Sequence, residues 1–334
     1  MAKAKQAKKS ARRTSKKVPA VRVLRYEVTN SASEGTETSH FVDLARDLAA
    51  INRRMMEQGR SYHIGKITVV SRNTIAGVNV YDQTAFPGAT TQIQPAGFIS
   101  VSAAPQTWSV INACKQGKKN FEAMKKDALS TVEMQDARYA DFKIRGLHSG
   151  SAFPTFLVPK DNGGNSLQLG EWSYSRFWSP DGTTSADDFY VHLLGGHAGT
   201  VGAWSSVGLV ESYGNTRSTV SGNSPNTIQD TDDPMANLMD AGTATDERLG
   251  DATFHNENPP YDLDEYVGAA GNMARPQVMQ HGTLGADGRC VLGGFEAIHG
   301  LLEFEVSSPI ANDVYSILVE LKEGSYKGIK AEAL

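Results

Sequence analysis

The chain has 334 residues with a net charge of −4, 40% hydrophobic and 8% aromatic residues, ordinary proportions for a globular protein. Residues 1–17 carry +8, which leaves 25 Lys and Arg against 37 Asp and Glu, or −12, over residues 18–334. An acidic body speaks against an enzyme or chromosomal packaging protein that is basic all over. Two cysteines, Cys114 and Cys290, make neither a disulfide framework nor a zinc-ligand set, and no apolar run approaches a membrane span.

Residues 1–20 read as a disordered basic arm. Lys3, Lys5, Lys8, Lys9, Arg12, Arg13, Lys16 and Lys17 come before the first acid, Glu27, with no large apolar residue after Met1 up to Lys17. Eight like charges with nothing to bury cannot offset the entropy of ordering, and such an arm most often contacts nucleic acid. Extended, seventeen residues reach about 55 Å. Arg22 and Arg25 continue the basic run into the body and join the candidate nucleic-acid-binding residues. The run is not followed by an apolar stretch, so it does not read as a secretory signal, and KKSARRTSKK also fits a nuclear localisation signal.

Residues 21–334 read as one β-rich domain. Val21–Val28 alternates as an opening strand. Ser39 precedes a helical pattern with Phe41, Leu44, Ala45, Leu48, Ile51 and Met55 on one face. Strands are expected at Tyr62–Val70, Val78–Tyr81 and Phe98–Ala103, and a helix at Thr107–Leu129. That helix has an apolar side interrupted at Gly117 and a basic side of Lys115, Lys118, Lys119, Lys125 and Lys126, whose plainest meaning is a solvated face. Further strands are expected at Tyr139–Leu147, Phe189–Leu194, Leu301–Val306 and Val314–Leu321, with long surface loops around 213–265. Many strands, one or two inserted helices and no βαβ alternation point to an all-β antiparallel sandwich, of which the jelly roll is the type found in viral shells and lectins.

Chemistry-bearing patterns are sparse. There is no phosphate-binding P-loop, no H-E-x-x-H and no G-x-S-x-G elbow, so no catalytic residue is assigned and the chain reads as a non-enzyme with no cofactor and no metal. Gly195–Gly202 lacks dinucleotide-binding spacing and reads as a turn. The eight histidines are scattered, and the closest useful pair, His192 and His197, has poor ligand spacing. Asp230, Asp232 and Asp233, and Asp262, Asp264 and Glu265, are acid clusters that can bind Ca²⁺, but solvated loops explain them as well. Trp172, Trp178 and Trp204, with Tyr174, Arg176 and Phe177, can stack bases or anchor an interface, with packing the plainer reading.

Three segments, with the arm, carry a resemblance. They are the helix from Trp108 through Phe121 and Met124 closing with Ala137–Lys143, the run Asn258–Tyr266, and Gly293–Leu302. Together these resemble the capsid proteins of small circular single-stranded DNA viruses that encode a replication initiator. The resemblance implies a jelly-roll subunit that self-assembles into an icosahedral shell and packages genomic DNA against its basic arm. It also implies location in the virion, with passage through the host nucleus during assembly, a host receptor the sequence does not identify, and no membrane partner. An RNA-virus capsid fits the same features, because electrostatics does not read the sugar. From another class, a carbohydrate-binding or hydrolytic β-sandwich would place a ligand near Trp172–Trp178.

Overall fold

The computed structural model describes residues 19–72, 97–131, 141–148, 153–178, 188–200, 203–220, 261, 265–285 and 287–334. Its first strands are β1 (Val23–Thr29) and β2 (Thr38–Asp43), followed by helix α1 (Leu44–Asn52) and strands β3 (Arg60–Ser71) and β4 (Phe98–Ala103). Then come α2 (Trp108–Thr131), β5 (Arg145–Leu147), β6 (Arg176–Trp178), β7 (Asp188–Leu194), β8 (Ala198–Thr200), β9 (Ala203–Gly208) and α3 (Leu209–Val220). The chain closes with β10 (Gln277–Thr283), β11 (Arg289–Leu292), β12 (Glu296–Ile298), β13 (Leu301–Ser307), β14 (Val314–Leu321), β15 (Glu323–Tyr326) and β16 (Ala331–Ala333).

Two antiparallel sheets face each other. One has the order β1-β14-β3-β11, with β12 and β16 on the first residues of β3, and the other the order β10-β4-β13-β2. Alternation makes the core, because successive side chains of a strand point to opposite faces. On β14, Tyr315, Ile317, Val319 and Leu321 face inward, with Leu24, Tyr26 and Val28 of β1 and Ile67 and Val69 of β3 beside them. The second sheet supplies Val42, Ile99, Val101, Leu302, Phe304 and Val306. Registers join residues far apart in sequence, Tyr26 with Ile317 and Phe304 with both His40 and Val101.

The strand bounds read from alternation hold at Phe98–Ala103 and Val314–Leu321. The helix expected from Ser39 instead begins at Leu44, since Thr38–Asp43 is strand β2, paired to β13. Asp43 ends that strand and caps the helix, its Oδ1 accepting from the Arg46 backbone N–H at 3.1 Å. Expected strand Val78–Tyr81 lies outside the described residues, as does most of the 213–265 excursion. Of expected strand Tyr139–Leu147, only β5 forms among the described residues, for a reason given below.

The chain passes from one sheet to the other through Gly293–Leu302. A Cβ on Gly294 would lie 2.5 Å from the backbone oxygens of both Ile64 and Gly65, so only glycine allows this approach to β3. His299 and Gly300 both take left-handed backbone angles, with φ 58° and 69°, and turn β12 into β13.

Between β4 and β10 a long insertion builds a second core. Its sheet has the order β5-β7-β9-β8, with β6 also on β7, and the β5–β7 and β7–β9 pairs are parallel. This third sheet is mixed, where antiparallel strands alone were expected. A third helix is present as well, against an expectation of one or two. α3 packs on α2 at Gly117, where a Cβ would meet Leu209 Cδ1 at 2.7 Å. The glycine that interrupts the α2 pattern therefore leaves room for Leu209 of α3. Val110, Cys114, Phe121, Phe142, Leu193 and Val210 fill the second core, which meets the sandwich through Ile298 and Leu301.

Candidate nucleic-acid interface

Lys3, Lys5, Lys8, Lys9, Arg12, Arg13, Lys16 and Lys17 lie outside the described residues; what the structure places is the base of the arm. The Pro19 carbonyl accepts from Arg54 Nη1 at 3.1 Å. The Val21 N–H donates to Asn52 Oδ1 at 2.7 Å, and Asn52 Nδ2 donates back to the Val21 carbonyl at 3.0 Å. The chain thus enters the sandwich clamped to the C-terminal end of α1, where Arg53 takes the left-handed capping conformation. Arg53 and Arg54 are exposed and pair with no carboxylate among the described residues. A helix C-terminus, with its free carbonyls, favours cations at this point.

The loop that follows α1 brings the lysine face of α2 near. Lys118 runs across Gly59, its Nζ 3.6 Å from where a Cβ would stand, and a hollow beside it is lined by Lys115, Lys118, Lys119 and Glu122. Sequence reasoning listed those lysines but missed Arg53 and Arg54. The signal was there, as Asn-Arg-Arg closing an amphipathic helix.

Other basic residues have internal partners. Arg22 pairs with Glu323 at 3.2 Å on the surface. Arg25 donates to Glu27 at 2.5 Å, to Ser316 Oγ at 3.1 Å and to the Asp161 carbonyl at 2.5 Å. Glu27 also binds Lys160 and Arg72, and the Lys160 hydrogen bond leads in holding its carboxyl below the usual range. Lys143 is buried with its Nζ 4.7 Å from the centre of the Trp172 ring.

The aromatic group divides between the two cores. Trp172 packs on the sandwich and Phe177 on the insertion, while Trp204 meets His197 edge-on. His192 and His197 both lie beside Gly208, but each is held by the protein itself. Buried His192 bonds Ser206 Oγ at 2.6 Å and the Gly196 carbonyl at 3.0 Å, while His197 Nδ1 accepts from the Gly208 N–H at 3.1 Å.

At the other end of α1 a buried cluster joins sandwich to insertion. Asp43 Oδ2 accepts from Gln58 Nε2 at 3.0 Å and from the Tyr174 hydroxyl at 3.2 Å. Asp47 accepts from the Tyr26 hydroxyl at 2.6 Å and from Arg46 Nε at 2.8 Å. The Arg46 guanidinium thus pairs with Asp47, while Asp43 takes the Arg46 backbone N–H and feels the guanidinium charge at longer range. Burial pushes Asp43 up to about 6 and Asp47 up to about 7, against the pull of Arg46. The folded state therefore holds more protons than the unfolded chain between about pH 4 and pH 7. Stability from these groups is present below that window and lost as the pH rises through it. Burial has the opposite effect on His192 and His299, pushed down to about 4, whose contribution is lost as the pH falls. Asp47→Asn keeps an acceptor for Tyr26 and removes the proton. Thermal unfolding midpoints of this variant should fall less between about pH 5 and pH 8 than those of the parent. An unchanged pH profile would remove Asp47 from this role.

No family model, no curated protein and no solved structure matches this chain.

Proposed function

We propose that this chain is the shell subunit of a small virus with a single-stranded DNA genome, and that its basic arm packages that genome. The pairing of the eight strands that make up the main run of the two facing sheets carries the reading. In chain order these are β1, β2, β3, β4, β10, β11, β13 and β14. The first pairs with the eighth, the second with the seventh, the third with the sixth and the fourth with the fifth. The β3–β14 and β4–β13 pairs then join the hairpins into two sheets. A long antiparallel hairpin rolled up on itself gives this order, which is that of the jelly roll used by viral shells. Lectins share the architecture, but a tail with eight positive charges on a body of −12 is accounted for by a polyanion held inside a shell.

Two further features support self-association. β10 contains no Asp, Glu, Lys or Arg, the charges with which exposed edge strands usually resist pairing. Val278 on β10 and Val291 on β11 are 54% and 66% exposed on adjoining strands. No helix among the described residues is long and apolar enough to cross a membrane.

Negative-stain microscopy of the purified protein, with ultraviolet absorbance of the same fraction, tests the reading. Closed particles of uniform size with excess nucleic-acid absorbance, sensitive to DNase, are expected. RNase sensitivity would make it an RNA-virus shell, and a monomer at every salt and pH would overturn the shell itself.

A further inference from the structure

A groove of about 400 Å³ opens where the insertion crosses the β2 edge of the sandwich, lined by Arg46, Arg145, Phe153, Phe156, Trp172 and Tyr174 among others. The crossing is built from backbone, with Phe156 bridged to Phe41 of β2 and the Leu157 N–H donating to the Phe41 carbonyl at 2.7 Å. Arg46 stands on α1 and Arg145 on β5, and the remaining lining is held by that crossing.

Arg145 is the unusual member. Its guanidinium carbon lies 4.3 Å from the ring centres of both Phe153 and Tyr174, so two aromatic rings sit against it. Its N–H donors, arrayed along the edge of the plane, are left to be paired. Among the described residues this guanidinium makes no hydrogen bond and no ion pair, and its Nε is buried without an acceptor. Three other described arginines stack on aromatic rings, and each has an anion: Arg46 has Asp47, Arg60 has Glu57 and Arg176 has Asp188. Arg145 is also half-buried, and burial lowers its pKa from the ordinary value. Asp43 acts on it only from beyond ion-pair distance, and a partly desolvated cation with no anion in contact is costly for a fold to keep, so it points to an anion that arrives from outside.

The shape of that anion follows from the walls. A guanidinium edge between fixed rings offers parallel donors suited to the two oxygens of a phosphate or carboxylate. Trp172, with Lys143 over one part of its ring, adds aromatic surface beside it, whereas Phe156 is stacked on Tyr174 with Arg46 over its ring. Arg46 places the groove on α1, and Arg53 stands seven residues further along, about 10 Å away on the helix axis and next to the arm base. A strand drawn in by the arm would thus pass the groove. The aromatic lining favours an unpaired base over the faces of a duplex, which are hidden by stacking.

We propose that this groove holds one nucleotide of a single-stranded nucleic acid, with its phosphate on the edge of Arg145 and its base against the aromatic wall. The ligand class rests on the packaging reading above; the anion site rests on Arg145 itself.

The test uses full-length chains in which the arm cations are all glutamine, so that the arm does not compete. Tetrathymidylate is titrated in about 50 mM salt, where phosphate contacts remain strong, and binding is read by calorimetry and tryptophan fluorescence. Saturable binding at one site per chain is expected. Arg145→Met should weaken it about tenfold or more, while Arg176→Met leaves it unchanged. Arg145→Lys keeps the charge but not the fork; it should also bind more weakly while keeping the parent's unfolding midpoint, which covers the case in which the methionine variant does not fold. No saturable binding, or equal binding by both Arg145 variants and the parent, would overturn the proposal. Inorganic phosphate binding as tightly as the oligonucleotide would reduce the groove to a plain anion site and overturn the nucleotide assignment. So would binding of sialyllactose in place of the oligonucleotide, which would make it an acidic-glycan site. The titration is made on subunits, so failure to form particles would sink the shell reading and leave this result standing.

Discussion

Replacing all eight arm cations with glutamine is expected to give particles that still assemble but hold about a tenth or less of the parent's nucleic acid. The sandwich has its own core, and its described strand pairing begins at Val23, so assembly should survive. Packaging should not, because the body is at −12 and repels a polyanion on average. Each phosphate neutralised by the arm releases a counterion. With up to eight contacts on a single strand, the logarithm of affinity should fall against that of salt with a slope of about −6. Between 50 and 200 mM salt that is about a thousandfold or more. Arg53, Arg54 and the lysines beside Gly59 are left in the variant and should retain a shallow salt dependence. Measured nucleic-acid content per particle decides the matter; full packaging by the glutamine variant would remove the arm from the mechanism.

Gln58→Ala is expected to be the most damaging single substitution outside the apolar cores. The Gln58 amide is buried, and its Nε2 donates to Asp43 Oδ2 at 3.0 Å and to the Ile144 carbonyl at 2.9 Å. Its Oε1 accepts from the Ile144 N–H at 2.5 Å. One side chain thus pairs both backbone groups of Ile144 as a neighbouring strand would. That is why the strand expected over Tyr139–Leu147 is reduced to β5: the partner of Ile144 is an amide, and Lys143 exchanges bonds with Ser175 instead. Truncation would orphan a buried N–H, a buried carbonyl and one partner of a carboxylate. A loss of about 3–5 kcal/mol is expected from such a break. Denaturant unfolding followed by near-ultraviolet circular dichroism should show it, with the insertion loosening from the sandwich first. A loss below about 1 kcal/mol would mean that water replaces the amide at no great cost.

Much of the sandwich was legible because strand character is written locally. Leu301–Ser307 and Val314–Leu321 alternate with period two, and burial of one sheet face is enough to demand that pattern. The α1 boundary was misplaced for a related reason. Phe41, Leu44, Ala45 and Leu48 satisfy helical spacing, yet the segment before Leu44 gains more by pairing with β13, and Asp43 can then cap. The region from 141 to 220 was harder. β5, β6 and β8 have three residues each, too short for any periodicity to register. α3 contains Gly214, Asn215 and Thr216, poor helix formers, and its first residues are held by packing against α2.

The candidate sites divide in the same way. Charge in the arm is a property of composition, so eight cations and an acidic body could be read directly. The sequence alone also determined the strand character of the sandwich and the position of α2, since these depend on residues within a few places of each other. Only the tertiary structure decided which strands pair, that the arm base is clamped by Asn52 and Arg54, and that Asp43 and Asp47 are buried together beside Arg46. It alone shows Arg145 against two rings with no ion pair among the described residues, while Arg25, equally basic in sequence, has Glu27. The reason is physical: a charge's role depends on what the fold brings within a few ångströms of it, and those neighbours lie as far as 301 positions away.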